Sequence, residues 1–257
     1  IDKYFTVPLF KKEAISEDGI QQGELGTCYF IAALCRIAKQ PELVEQLFDT
    51  RTRSKNKKGK KNNGEFVDTI NLKCGAVVVY FHAFGRITPV LIDTLIPFKR
   101  GTRRPRFVHP ADIKYSPWFC LVEKAFAKLH GSYSLIIGGA LSSAIYHLFG
   151  YFPCYKKISD MLKKREQKLK DKQEKGKSAK PIKFDKNEYL FSELMQWQHE
   201  NAVLGADITL GNLQEGVTED EVIDNGLVIG HAYSILKVRR EQNKNFICLR
   251  NPWGDHE

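Results

Sequence analysis

The chain has 257 residues, 42% of them apolar and 27% charged, and a net charge of +10. This composition is typical of an ordinary soluble globular protein with one large domain or two modest ones. No apolar run reaches the roughly 18 residues of a transmembrane helix, and the first residues do not form a signal peptide. The basic charge lies in two low-complexity segments, 51–64 and 163–183, which carry +7 each and leave −4 for the rest.

Basic low-complexity segments of this kind are typical of solvated or disordered insertions. Docking of an acidic partner or of a membrane surface is the alternative interpretation. Nucleic-acid binding is disfavoured because no aromatic residues are interleaved with the basic ones and no RNA-binding motif is present.

The six cysteines form neither a CxxC pair nor a Cys/His grouping of zinc-ligand type. Sparse, unpatterned cysteines in a chain of this size indicate reduced thiols and an intracellular, cytoplasmic location. The chain starts at Ile1 rather than Met and stops just after a strand-like run. We therefore expect a piece of a longer protein with further domains beyond residue 257.

The first half of the chain is predicted to be mainly helical. Apolar residues recur at helical spacing after Cys28 and predict a buried helix that starts close to it. A short helix (41–49) and the first basic insertion follow. Three runs rich in β-branched and aromatic residues then predict strands, FVDTINLKC, AVVVYFHAF and TPVLIDTLIPF. Helical patterns return at 118–130 and 141–148.

The second half is predicted to be richer in strands, and the two halves together indicate an α+β fold. We place a domain boundary at residue 150, which gives subdomains 1–150 and 151–257. The second basic insertion is followed by a predicted helix (188–201), short strands, and two strand candidates, 227–238 and 245–250, joined by the polar turn RREQNKN.

Cys28 is the candidate nucleophile because it stands where the first buried helix begins. Thr27 is an allowed N-cap, which places Cys28 in the first helical turn. The helix dipole and a nearby imidazolium there lower a thiol pKa from roughly 8.5 to about 3.5–7.5. Gly26 removes side-chain bulk beside the sulfur, and Gln22 could direct its amide N–H towards an oxyanion alongside the backbone N–H of Cys28. A buried structural cysteine is the alternative interpretation.

His231 and Asn251 are the candidate partners of this thiol. If the last hairpin turns near Glu241–Gln242, residue 231 faces a position within a residue or two of 251. An Asn carbonyl that accepts from the ring N–H would set the tautomer and direct the other nitrogen to the thiol. Taken singly, such a His is more often a core or surface residue, and an Asn before proline is more often part of a turn.

Four segments resemble the calpain family of cysteine proteases. They are QGELGTCYFIAAL (22–34), PWFCLVEKAFAKLHGSY with the glycines that follow, GHAYSILKV (230–238) and RNPWG (250–254). The resemblance implies a papain-like fold, with a helical first subdomain, a β-rich second subdomain and the active site in the cleft between them. It also implies an endopeptidase that cleaves protein substrates by limited proteolysis.

Carried over by position, the resemblance implies that Cys28 is the nucleophile and His231 the general base and then acid. Asn251 would orient the imidazole, Gln22 would donate to the oxyanion, and Trp253 would shield the His–Asn hydrogen bond from water. No cofactor is needed for this chemistry.

Two positions beside the nucleophile depart from the family pattern: Thr27 replaces an Asp, and Tyr29 replaces a Trp. Neither departure removes a catalytic group, so we expect activity. A calpain-fold pseudoprotease that acts as an interaction module is the main alternative. A transglutaminase-like acyltransferase uses Asp as its third residue, whereas position 251 is Asn.

The resemblance also implies calcium as an activator, but the expected carboxylates are missing. Gly19 stands at an acidic position upstream of the nucleophile, although Asp18 is adjacent, and Ser134 replaces a Glu. Glu257 matches one ligand of a second family site. Because a hard cation needs carboxylate oxygens, we expect weak or no calcium binding in residues 1–150, with Asp18 and Glu257 as weak candidates.

Overall fold

The computed structural model describes residues 12–48, 75–112, 114–174, 183–208 and 226–254. The first basic insertion (51–64), the predicted strand FVDTINLKC and Glu257 lie outside the described residues. The described chain forms two compact units. One draws on Ile1–Phe152, Gly205–Ser234 and Arg250–Glu257, and the other on Pro153–Leu204 and Ile235–Leu249. The division into subdomains at residue 150 stays a prediction.

The core of the first unit is built around two buried helices. Helix α1 (Cys28–Ala38) has buried side chains on all its faces, and α3 (Trp118–His130) is nearly as deeply buried. Phe30 of α1 and Phe126 of α3 stack with their ring centroids 4.0 Å apart. Two shorter helices, α2 (Pro41–Phe48) and α4 (Leu141–Phe149), pack against α1. The predicted buried helix that starts at Cys28 is confirmed.

A long hairpin and a short strand pair complete this part of the unit. Strands β2 (Ala76–Ala83) and β3 (Arg86–Asp93) pair antiparallel across the turn Phe84–Gly85. Burial along β2 alternates strictly, as expected of a strand with one face on the core. Strand β1 (Ile20–Gln21) pairs antiparallel with β4 (His109–Pro110), and this pairing holds the segment before Cys28 against the rest of the unit.

Two helices of the second unit follow. Helix α5 (Ile158–Glu174) has no buried residue. Helix α6 (Lys186–His199) has Asp185 as its N-cap, whose carboxylate accepts a hydrogen bond from the backbone N–H of Glu188. The second basic insertion was expected to be solvated or disordered. Its residues 163–174 belong to α5, so disorder is wrong for them, while solvation is right. Lysine, glutamine and glutamate have high helix propensity, which allows a helix here without a buried face.

The last sheet has the strand order β5–β6–β7, with β5 at Gly205–Asp207, β6 at Ala232–Glu241 and β7 at Lys244–Arg250. The turn between β6 and β7 consists of Gln242 and Asn243, both with positive φ, as a two-residue hairpin turn requires. The predicted hairpin is present, but its first strand begins at Ala232 rather than at 227, and five of the seven residues of the predicted turn RREQNKN belong to the strands. No helix in the described residues is both long and apolar enough to cross a membrane.

Candidate active site

Cys28 is the first residue of helix α1 and is half-buried. Thr27 occupies the N-cap position, and its carbonyl oxygen accepts hydrogen bonds from the backbone N–H groups of Phe30 and Ile31, both at 2.9 Å. Its side chain, however, makes no capping bond. The hydroxyl instead donates to Oε1 of Glu123 at 2.7 Å. Thr27 thus starts the helix through its backbone and connects it to α3 through its side chain.

Tyr29 packs into the first unit rather than facing solvent. Its hydroxyl donates to the carbonyl oxygen of Ile136 at 3.1 Å, and burial raises its pKa to about 12. A Cβ at Gly139 would lie 2.6 Å from the Tyr29 ring, so the ring requires a glycine there. The backbone N–H of Gly138 also donates to the carbonyl of Gly26 at 2.8 Å. The glycine turn therefore supports the loop that leads into Cys28.

His231 and Asn251 are hydrogen-bonded to each other, with His231 Nε2 2.9 Å from Asn251 Oδ1. His231 directly precedes β6 and Asn251 directly follows β7, so both flank the hairpin rather than lying within it. The backbone N–H of Trp253 donates to the same Oδ1 at 3.0 Å, which identifies that atom as the oxygen. His231 Nε2 must then carry the proton, and a neutral imidazole has its proton-accepting lone pair on Nδ1.

The imidazole of His231 is enclosed by aromatic side chains and is only 3% exposed. The Trp253 ring lies 4.6 Å from it between centroids, and the Tyr233 ring meets it edge-on at 5.0 Å. Rings this close exclude water from the His–Asn hydrogen bond, and a hydrogen bond in a medium of low dielectric is stronger. The bond therefore orients the ring firmly.

Helix α1 contacts the start of β6, the strand that follows His231. The Ser234 hydroxyl donates to the carbonyl oxygen of Ala32 on α1 at 2.5 Å. Burial raises the pKa of Tyr233, and the charge of the Cys28 thiolate adds to the rise. The backbone N–H of Val228 donates to the Tyr233 hydroxyl and opposes this rise, and the Tyr233 ring itself contacts His231.

Gln22 lies in a loop that touches the segment after Asn251. Its backbone N–H donates to the carbonyl of Pro252 at 2.8 Å. One side-chain N–H donates to the carbonyl of Leu25 at 2.9 Å, which leaves the second N–H of the amide for another acceptor. The hydrogen bond to Leu25 therefore fixes the orientation of the Gln22 side-chain amide.

The whole chain is similar to calpains. The model of the calpain family cysteine proteases matches residues 2–257. This chain belongs to that family. Its mixed helix and sheet is accordingly the papain-like fold of the calpain protease core, and the predicted fold class is confirmed.

Three relatives illustrate the similarity. The calpain-type cysteine protease DEK1 of Arabidopsis thaliana is 28% identical over 96% of this chain and 9% of its own length. A calpain of Schistosoma mansoni is 28% identical over 93% of the chain and 26% of its own length. Human Calpain-12 is 28% identical over 96% of the chain and 28% of its own length. The chain therefore spans less than a third of each of these calpains.

Calpain-family proteases are generally regulated by calcium, and two positions at which the resemblance implies carboxylates have other contacts here. A Cβ at Gly19 would lie 2.6 Å from the Tyr115 ring, so no carboxylate can be accommodated at this position without moving Tyr115. The Ser134 hydroxyl pairs with that of Ser132 at 2.8 Å. Asp18 is exposed, and among the described residues no three His, Cys, Asp or Glu side chains are grouped to hold a metal.

Two residues of this calpain core were given no role in the sequence analysis. Arg250 is buried, and its guanidinium donates to the carbonyl oxygen of Ile20 at 3.1 Å, which holds the strand before the Gln22 loop. Glu123 is also buried, and its carboxylate accepts the hydrogen bond from the Thr27 hydroxyl. The available signal for Glu123 was a carboxylate in the middle of the apolar run WFCLVEKAF, a position that is costly for a charge unless it is paired.

Proposed function

We propose that this chain is the catalytic core of a calpain-type cysteine endopeptidase that cleaves protein substrates by limited proteolysis, with Cys28, His231 and Asn251 as its triad. The hydrogen bond from His231 Nε2 to Asn251 Oδ1 carries the proposal. It leaves Nδ1 as the proton acceptor in the same compact unit as a half-buried thiol at a helix amino end.

The proposed reaction has two stages. His231 Nδ1 takes the thiol proton of Cys28, and the thiolate attacks the scissile carbonyl carbon. The backbone N–H of Cys28 and the second amide N–H of Gln22 stabilise the oxyanion. The imidazolium then gives its proton to the leaving amine, which departs as the C–N bond breaks. His231 next takes a proton from water, the hydroxide attacks the thioester, and Cys28 leaves as a thiolate that recovers the proton.

The surroundings of the core support further parts of the proposal. Among the described cysteines none forms a disulfide, which fits an intracellular, cytoplasmic protease. Because the related calpains are much longer than this chain, regulatory domains in the same protein are part of the proposal. The exposed basic residues of α5 would serve an acidic partner or a membrane surface.

A catalytically inactive calpain fold that serves as an interaction module is the second candidate. The observation that favours it is the departure from the family pattern on both sides of the nucleophile, at Thr27 and Tyr29. Both side chains are buried and hydrogen-bonded within the first unit. Such bonds hold the nucleophile loop in place equally well in an active enzyme, so they do not by themselves separate the two candidates.

Labelling of the full-length protein with an epoxide inhibitor of thiol proteases separates the two candidates. We expect modification of Cys28, located by mass spectrometry, and its loss in His231→Ala. Cys154, an exposed thiol, is the internal control, since its modification would reveal indiscriminate alkylation. Labelling with and without calcium tests the regulation. Absence of labelling under both conditions in folded protein would favour the inactive module.

A further inference from the structure

Glu123 is a carboxylic acid in the middle of the apolar helix α3, only 1% exposed. Its two carboxyl oxygens have different hydrogen-bond partners. Oε1 accepts from the Thr27 hydroxyl at 2.7 Å, and Oε2 accepts from the backbone N–H of Val108 at 2.9 Å. Both partners are uncharged. The carboxyl therefore joins α3, the segment before β4 and the start of α1 at a single buried point.

Three acidic groups lie within the electrostatic reach of Glu123. They are Tyr29 on α1, Cys120 on α3 and Tyr133 in the short helix after α3. Burial is the main cause that raises the pKa of each, and nearby negative charge, including that of Glu123, raises it further. Burial likewise raises the pKa of Glu123 to about 7, although its two hydrogen bonds oppose the rise. None of these three groups is a cation that would offset the burial of the carboxylate, and the ionised and neutral carboxyl are close in free energy near neutral pH.

Protonation of Glu123 reverses its hydrogen bond to Thr27. The ionised carboxylate can only accept, so the Thr27 hydroxyl donates to it. A protonated Oε1 donates instead, and the Thr27 hydroxyl can then turn to the carbonyl of Leu25, which lies 3.5 Å away. Since the Thr27 carbonyl accepts the first two helical hydrogen bonds of α1, a shift of Thr27 moves the first turn, which carries Cys28.

We propose that Glu123 is a positioning residue for Cys28: through Thr27 it holds the first turn of α1, and the loss or gain of its proton changes the reactivity of the thiol. The inference rests on the proposed function only in taking Cys28 as the nucleophile. Ionisation places a negative charge beneath the helix end and so opposes thiolate formation at Cys28. The neutral form removes that opposition.

The test measures the rate of Cys28 alkylation by iodoacetamide from pH 5 to 9, read by peptide mass spectrometry in the full-length protein. It is made in a His231→Ala background, because the imidazole is the proposed base for the same thiol. Glu123→Gln is the matched variant. Its amide oxygen can accept from the Val108 N–H and its amide N–H can donate to Thr27, so the geometry is kept while the titratable group is removed.

We expect the alkylation profile of the background protein to show an inflection near pH 7 that Glu123→Gln lacks. Above pH 7 the Gln variant should react about threefold faster or more, as removal of one nearby negative charge predicts. Glu123→Ala removes the same charge but also the partner of Thr27, so it should react more slowly than Glu123→Gln at every pH, and that difference measures the positioning through Thr27 apart from the effect of charge. Retention of the inflection in Glu123→Gln would overturn the proposal.

Thr27→Val and Thr27→Ser give an independent reading if the Glu123 variants fail to fold. Thr27→Ser keeps the hydroxyl and should keep the profile of the background protein, whereas Thr27→Val should slow alkylation. Equal alkylation rates in the Ser and Val variants would overturn the proposal. The outcomes also separate this inference from the proposed function. If Glu123→Gln changes the alkylation profile but the protein cleaves no substrate, only this inference is supported. If the epoxide labels Cys28 but Glu123→Gln leaves the alkylation profile unchanged, only the proposed function is supported.

Discussion

Replacement of Glu123 by Gln is expected to change how the stability of the protein depends on pH. Burial raises the pKa of Glu123 from 4.5 to about 7 in the folded protein. Between these two values the folded state binds a proton that the unfolded state has released. The free energy of unfolding of the wild type therefore falls as pH rises through this window and levels off above about pH 7.

The size of this loss follows from the pKa difference. A shift of about 2.5 units at roughly 1.36 kcal/mol per unit corresponds to about 3 kcal/mol between pH 4.5 and 8. Glutamine at position 123 keeps the volume and both hydrogen bonds but does not titrate, so the variant should not show this loss. The advantage of Glu123→Gln over the wild type should therefore grow by about 3 kcal/mol over that range.

Urea unfolding at several pH values, followed by tryptophan fluorescence, measures this difference, since Trp118 is buried in the same helix. Glu24→Gln is the control. The carboxylate of Glu24 is exposed and pairs with Lys99 and Arg106, so its removal should not reproduce the pH-dependent gain. A difference between Glu123→Gln and wild type that stays constant from pH 4.5 to 8 would refute a raised pKa at Glu123.

Substitutions at three further positions test the packing and one turn by urea or thermal unfolding. Gly139→Ala should cost about 1–3 kcal/mol, because its Cβ would lie 2.6 Å from the Tyr29 ring; an unchanged melting temperature would contradict this contact. Phe126→Ala should cost about 3–5 kcal/mol, because it empties the space beside Phe30, and Phe126→Leu should cost clearly less. Gln242→Gly should stabilise the hairpin by up to about 1 kcal/mol, because Gln242 has a φ of 46°; a destabilised variant would argue against that turn.

Local sequence was sufficient for the elements whose geometry depends on near neighbours. The apolar period after Cys28 predicted a buried helix with its amino end at the thiol, and the helix begins at that residue. The two strand candidates around the polar turn predicted that residues 231 and 251 would be neighbours. They are hydrogen-bonded, because a hairpin with a two-residue turn leaves little freedom in its register.

The helical conformation of the basic segment was less predictable than its solvation. Residues 163–174 were read as an insertion from composition alone, yet they continue α5. High-propensity residues can form a solvated helix, and composition does not distinguish such a helix from a disordered segment. Which state such a segment adopts depends on how it is anchored at its ends.

The sequence by itself determined the family motifs, the start of α1 and the facing of His231 and Asn251. Tertiary structure alone decided that the Thr27 hydroxyl bonds Glu123, 96 residues away, instead of capping its own helix. It also decided the proton affinity of Glu123 and the glycine that Tyr29 requires at position 139. These properties arise because several distant segments together exclude water and occupy space around one side chain, and neither solvent exclusion nor close approach leaves a periodic trace in the sequence.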